Sequence, residues 1–171
     1  MTNLSKTIDA LGLEYRLIGV LPAAITGISV DSRQTKPGHL FAAMPGSNMH
    51  GAEFVKFAVR MGAAVVLTDA AGYEITQAEG GYDVPFLISD DPRKALSKAA
   101  AGWFVGQPET MVAITGTNGK TSVANFTRQI WEEMGFAAVN FGTVGVEGAI
   151  SAPLSHTTPE PLTLHSLLAD L

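Results

Sequence analysis

Apolar and polar positions alternate in blocks along this chain, and the blocks change period several times. Ile25 to Val30 is apolar and β-branched enough for a strand, and a polar turn through Asp31-Ser32-Arg33 and Lys36-Pro37-Gly38 separates it from a second apolar run, Leu40 to Met44. After the loop from Pro45 to Gly51 the period shifts: Phe54, Val55, Ala58, Val59 and Met61 form a helical stripe over Ala52–Met61, with Gly62 placed to end it. Ala63 to Thr68 and Val84 to Ser89 are short, fully apolar runs of the kind that parallel strands buried on both faces display, and the stretch between them reads as a Gly-rich, acidic loop. Asp91 caps and Pro92 opens a further helix, with Ala95, Leu96, Ala99, Trp103 and Phe104 on one face. Near the start, Ser5 can cap a short helix carrying Ile8, Leu11 and Leu13. Strands alternating with helices predict an α/β fold.

Gly106-Gln107-Pro108 stops the pattern, which places a domain boundary there and divides the chain into 1–108 and 109–171. The second part has a different logic. Met111 to Thr115 reads as a buried strand, Gly116-Thr117-Asn118-Gly119-Lys120-Thr121-Ser122 follows at once, and Val123, Phe126, Ile130, Trp131 and Met134 then repeat at helical spacing as far as Gly135. Strand, glycine loop and helix together aim free backbone N–H groups and the positive end of a helix dipole at one point, as a polyphosphate requires. Gly116 and Gly119 let the backbone come close, Lys120 can reach phosphate oxygens, and Thr121 can offer its hydroxyl to Mg²⁺. A standard P-loop carries a further glycine where Ile114 stands, so this is a shortened variant.

Composition narrows the chemistry. With 171 residues, 46% hydrophobic and 16% charged, the chain can build a core and lacks the charge density of a disordered segment. A net charge of −5 has the wrong sign for coating nucleic acid or an anionic membrane, which leaves only a local basic pocket. No cysteine is present, so disulfides, thiolate metal sites and Cys nucleophiles are excluded. Residues 1–10 lack the basic start and apolar run of an export signal, and no uncharged stretch reaches the roughly 18 apolar residues of a spanning helix, so a soluble, cytoplasmic protein is expected. His39, His50, His156 and His165 fit no zinc spacing, and Asp90-Asp91 is explained by the helix cap.

The string ITGTNGKTS, Ile114 to Ser122, resembles the ATP-binding signature of the Mur ligases, whose loop also lacks the upstream glycine. The resemblance runs through Val30-Asp31-Ser32-Arg33, through PGHLFAAMPGSNMHGAEF from Pro37 to Phe54, and through GAAVVL. Phe141 to Gly145 and His156-Thr157-Thr158-Pro159-Glu160 resemble the tripeptide-forming members rather than those that add D-Ala-D-Ala, which remain the near alternative. The resemblance implies a small mixed α/β amino-terminal domain that binds a uridine nucleotide, followed by the start of a mostly parallel-sheet ATPase domain. It implies ATP as substrate, Mg²⁺ as cofactor, and UDP-N-acetylmuramoyl-L-alanyl-D-glutamate and a diamino acid as the partners in ligation.

Carried over by position, Val30, Ser32, Ser47, Asn48 and Met49 match the uridine contacts, Gly116 to Ser122 the phosphate contacts, and His156, Thr157 and Thr158 the contacts to the muramoyl-peptide. By local chemistry alone, Ser47 to Met49 is a polar turn, and Thr157-Thr158-Pro159 a helix entry with Thr158 capping. The family's acidic Mg²⁺ ligand, carbamylated lysine and amino-acid-selecting domain have no counterpart up to Leu171, so the resemblance implies an amino-terminal fragment, inactive alone and prone to self-association, from an enzyme that is itself monomeric. A reading of another class is a stand-alone nucleotide-binding module.

Overall fold

The computed structural model describes residues 5–142, 145–153 and 159–170, in two compact units divided between Trp103 and Phe104. The first unit is built on a five-stranded sheet: β1 (Arg16–Ile18), β2 (Gly27–Ser29), β3 (His39–Ala42), β4 (Val65–Thr68) and β5 (Phe86–Ile88), in the spatial order β1-β5-β4-β3-β2. The strands β2 to β5 are parallel, and β1 closes the β5 edge in antiparallel pairing. Register explains the apolar runs. Phe41, Val66 and Phe86 face one another across three strands on one face, while Ala42, Leu67 and Leu87 do so on the other. All are buried, so these strands carry no polar face for the sequence to display.

Helices connect the parallel strands. A 3-10 turn, Gly51–Phe54, runs into α1 (Val55–Arg60), and Ala52, Val55 and Ala58 join Phe41, Val66, Phe86 and Ile88 in the main core cluster. Phe54 and Met61, expected in that stripe, are exposed instead, because the 3-10 turn shifts the angular phase of the segment. Between β4 and β5 lies α2 (Ala70–Ala78), where the sequence suggests a loop. Its buried positions are Gly72 and Thr76, one helical turn apart but neither of them apolar bulk, so hydrophobic spacing carries no trace of it. Tyr73 sets its ring edge-on to Phe86 with centroids 5.1 Å apart, which ties α2 to the sheet.

The long helix α3 (Pro92–Trp103) starts as its sequence indicates, with Asp91 accepting the Lys94 N–H at 3.0 Å, and it buries Ala95, Leu96, Ala99 and Trp103. The expected first helix is only a 3-10 turn, Asp9–Leu11, ended by Gly12 in the left-handed region. Ile8 and Leu11 are nevertheless buried, and Lys6 pairs with Ile25 across a single bridge.

The second unit contains α4 (Lys120–Glu133), the antiparallel pair β6 (Val139–Gly142) and β7 (Gly145–Gly148), and α5 (Pro161–Ala169). The strand expected over Met111–Thr115 does not form. Met111 and Val112 are exposed, and among the described residues no strand lies beside them to complete a ladder. The face of α4 that bears Arg128 meets β6, where Arg128 Nε donates to Asn140 Oδ1 at 2.8 Å. Of the expected core stripe, Val123, Phe126, Ile130 and Met134 lie on the exposed side and only Trp131 is half-buried. Helix entry near residue 160 comes two positions later than expected: Glu160, not Thr158, is the cap, and its carboxylate accepts from the Leu162 and Thr163 N–H groups.

One group in the first unit couples folding to pH. His39 faces Gly27 across β2 and β3, in space that a Cβ at Gly27 would fill, and its Nδ1 is buried with no hydrogen-bond partner among the described residues. Burial, aided by nearby Lys36, holds its imidazole below the ordinary value of 6.5. The unfolded chain therefore takes up this proton at higher pH than the folded one, and stability present above 6.5 declines as the pH falls toward the folded value. The melting temperature should drop as the pH falls below 6.5, and His39→Leu should flatten that slope. An unchanged slope in the variant would remove His39 as the cause.

Candidate functional site

In an open parallel sheet, ligands bind outside the carboxyl ends of the strands, where successive loops leave the same edge. The segment after β2 carries Val30 and Ser32, and the loop after the adjacent β3 carries Ser47, Asn48 and Met49, so the fold brings both expected uridine segments to that edge. Val30 is exposed, whereas Ser32 is buried at the start of a 3-10 turn, Ser32–Gln34. Asp31 caps this turn through the Arg33 N–H at 2.9 Å and also pairs with the Arg33 guanidinium at 2.7 Å. Hydrogen bonding from the Arg33 side chain, then from its backbone N–H, holds the Asp31 carboxyl below the usual carboxylate range. Beneath the turn, the buried hydroxyls of Ser29 and Thr35 meet at 2.9 Å.

The loop from Pro45 to His50 exposes Ser47, Asn48 and Met49 and is pinned at its base. Pro45 and His50 form a bridge, the Gly51 N–H donates to the Met44 carbonyl at 2.8 Å, and Arg93 Nη2 donates to the Pro45 carbonyl at 2.6 Å. His50 and Arg93 hold this loop, a role for which the sequence does not single them out. One local signal is present for His50: a glutamate three residues on, at Glu53, completes a capping box around the turn.

In the second unit the loop Gly116 to Gly119 leads directly into α4. Gly119 occupies the N-cap position at φ +78, where an L side chain is strained, and no side chain caps the helix. The first N–H groups of α4, at Lys120, Thr121 and Ser122, thus stand at an exposed, positively polarised helix end. Lys120 Nζ donates back to the Gly116 carbonyl and so spans the loop, with Thr117 and Asn118 exposed beneath it. These groups can take an anion with several oxygens, and the donors present fit a polyphosphate. Among the described residues there is no cluster of three or more His, Asp or Glu side chains fit to hold a metal ion, and the exposed Thr121 hydroxyl at the start of α4 is of a kind that can join the shell of a phosphate-bound Mg²⁺. His156, Thr157 and Thr158 lie outside the described residues.

A model of the Mur ligase middle domain matches residues 114–171, and a model described as the Mur ligase family, catalytic domain, matches residues 24–104. The chain belongs to the Mur ligase family. A UDP-N-acetylmuramoyl-L-alanyl-D-glutamate–2,6-diaminopimelate ligase of Mesorhizobium japonicum is 48% identical over 164 residues, an alignment covering 91% of this chain and 33% of that Mur ligase. The protein of the same name from Rhizobium meliloti is 51% identical over 148 residues, covering 86% and 29%. The chain thus spans about a third of the length of these curated relatives. A solved structure of a diaminopimelate ligase of this name covers 98% of the chain and 33% of its own, with a TM-score of 0.75 at 21% identity. A MurF structure from Acinetobacter baumannii covers 100% and 34%, with a TM-score of 0.57 at 19% identity. Both share the Mur ligase fold with this chain. Among the described residues no helix is long and apolar enough to cross a membrane.

Proposed function

We propose that this chain supplies the uridine-nucleotide site and the ATP loop of a cytoplasmic, ATP-dependent ligase that adds a diamino acid to UDP-N-acetylmuramoyl-L-alanyl-D-glutamate in peptidoglycan synthesis. The observation that carries the reading is the agreement along the chain with relatives named for that reaction, 48% identity over 164 residues including the phosphate loop. Their names favour 2,6-diaminopimelate as the diamino acid. Residues 1–108 would hold the UDP-sugar through Val30, Ser32 and Ser47 to Met49. Residues 109–171 would hold ATP through Gly116 to Ser122 and meet the muramoyl-peptide through His156, Thr157 and Thr158.

The reaction is a phosphoryl transfer followed by an acyl transfer. A carboxylate oxygen of the D-Glu side chain attacks the γ-phosphorus of ATP, the bond to the bridging oxygen breaks, and ADP leaves. The amine of the diamino acid then attacks the acyl carbon of the resulting acyl phosphate, loses a proton and expels inorganic phosphate, leaving the amide. Neither step needs a protein nucleophile, which suits a chain without cysteine. What the first step needs is alignment and positive charge on the transferring oxygens. The N–H groups at the start of α4 and the Lys120 ammonium provide both, and Lys120 must exchange its bond to the Gly116 carbonyl for one to phosphate. Mg²⁺, held in part by Thr121, would neutralise charge on the β- and γ-phosphates.

Lys120→Ala should weaken Mg-ATP binding by about 1.5–3 kcal/mol, roughly ten- to a hundredfold, because it removes a charged donor to phosphate. Calorimetry finding equal affinities for the variant and the parent chain would overturn the assignment of the loop. Ser32→Ala should weaken binding of a UDP-sugar by about 0.5–1.5 kcal/mol, a several-fold loss. Amide resonances of residues 30–32 and 46–49 should move on titration with that ligand, and stationary resonances at saturating concentration would remove the uridine site from this edge.

A further inference from the structure

Ser47, Asn48 and Met49 are exposed, yet the residue that follows them is not: the His50 side chain retains only 13% of its exposure. Its ring bonds on one side to the backbone of Ala52 and on the other to the side chain of Asp69. Nδ1 accepts the Ala52 N–H at 3.0 Å, which in the neutral ring leaves the proton on Nε2, and Nε2 lies 3.1 Å from Asp69 Oδ1. The same Asp69 oxygen accepts the Gly72 N–H at 2.7 Å and caps α2. One carboxylate thereby joins the loop after β3 to the helix after β4.

Space for the ring comes from a missing side chain. A Cβ at Gly72 would stand 2.5 Å from His50 Cε1 and 2.1 Å from Thr68 Oγ1, so a glycine within α2 leaves the slot that the imidazole fills. The charged groups around the ring and the loop base are Asp69 at the α2 cap, Glu53, whose Oε1 accepts the His50 N–H at 3.2 Å, and Arg93, bound to the Pro45 carbonyl.

We propose that His50 is a positioning residue for the uridine site: locked between Ala52 and Asp69 in the slot beside Gly72, it holds the Pro45 to His50 loop in the single shape in which Ser47, Asn48 and Met49 meet the nucleotide. This rests on the uridine reading given above. His50 makes no contact with the ligand. It acts by keeping the binding-competent loop populated, so a loop that adopts this shape only about a tenth of the time binds about tenfold more weakly.

The test uses the 171-residue chain, His50→Ala and Asp69→Asn, with UDP-N-acetylglucosamine as probe. In the parent chain the Ala52 and Gly72 amides should be protected from hydrogen exchange and nitrogen shifts should show His50 protonated at Nε2. In His50→Ala, amides 46–52 should exchange faster and the probe should bind about tenfold more weakly, measured well below the melting temperature so that lost stability alone has no effect. Asp69→Asn keeps an oxygen that can accept from both His50 and Gly72 and should retain most of the affinity. Unchanged affinity in His50→Ala, or loop amides as labile in the parent as in the variant, would overturn the proposal. A parent chain that does not bind the probe, while its loop is protected and exchanges faster in His50→Ala, would instead overturn the uridine reading, and with it the ligand role of His50, though His50 would still be shown to hold the loop.

Discussion

Two-sided burial of β3, β4 and β5 is the constraint on which the first unit turns. Each strand can satisfy its backbone only through the neighbouring strand and must cover both faces with apolar side chains, so Phe41, Val66 and Phe86 are committed to one layer and Ala42, Leu67 and Leu87 to the other. A slip of one residue in any of these pairings would exchange the layers. Once the register is set, the loops that leave β2, β3 and β4 emerge along one edge in fixed order. Ser32, the Pro45 to His50 loop and Asp69 all follow the carboxyl ends of those strands, and there Asp69 reaches His50.

Much of this was legible in the sequence, for reasons that differ by element. The buried strands announce themselves as unbroken apolar runs, and α3 as an Asp-Pro start with a regular stripe. The proposed phosphate loop is legible because its chemistry is contiguous: glycines, lysine and hydroxyls lie within a few residues of one another. α2 is hidden because it buries Gly72 and Thr76 instead of bulk, and because Gly80 and Gly81 beyond it suggest a turn. The support of the Pro45 to His50 loop is hidden for another reason. Asp69 and Arg93 reach it from 19 and 48 residues away, and local spacing cannot report contacts made only after the strands have paired.

The second unit shows where apolar periodicity misleads. The repeat Val123, Phe126, Ile130, Met134 is a sound signal for a helix, and the helix forms, but periodicity identifies a face without saying what lies against it. Here the contact to β6 is made on the other side of α4, through Arg128 and Asn140. The same distinction applies to Met111–Thr115, whose side chains suit a strand while the described residues place no partner strand beside them.

The Lys6 ammonium donates to the carbonyls of Gly102 and Trp103 at 2.7 and 2.9 Å and lies 6.0 Å from the centre of the Trp103 ring. It therefore joins the opening segment of the first unit to the last turn of α3, 96 residues later, like a buckle on a belt. On a ribosome this fastening must wait. Residues near Lys6 emerge first, but their partners appear only when α3 has left the exit tunnel, so the early segment stays unfastened while the parallel strands are still being delivered. The first unit can close only after its last helix has been made.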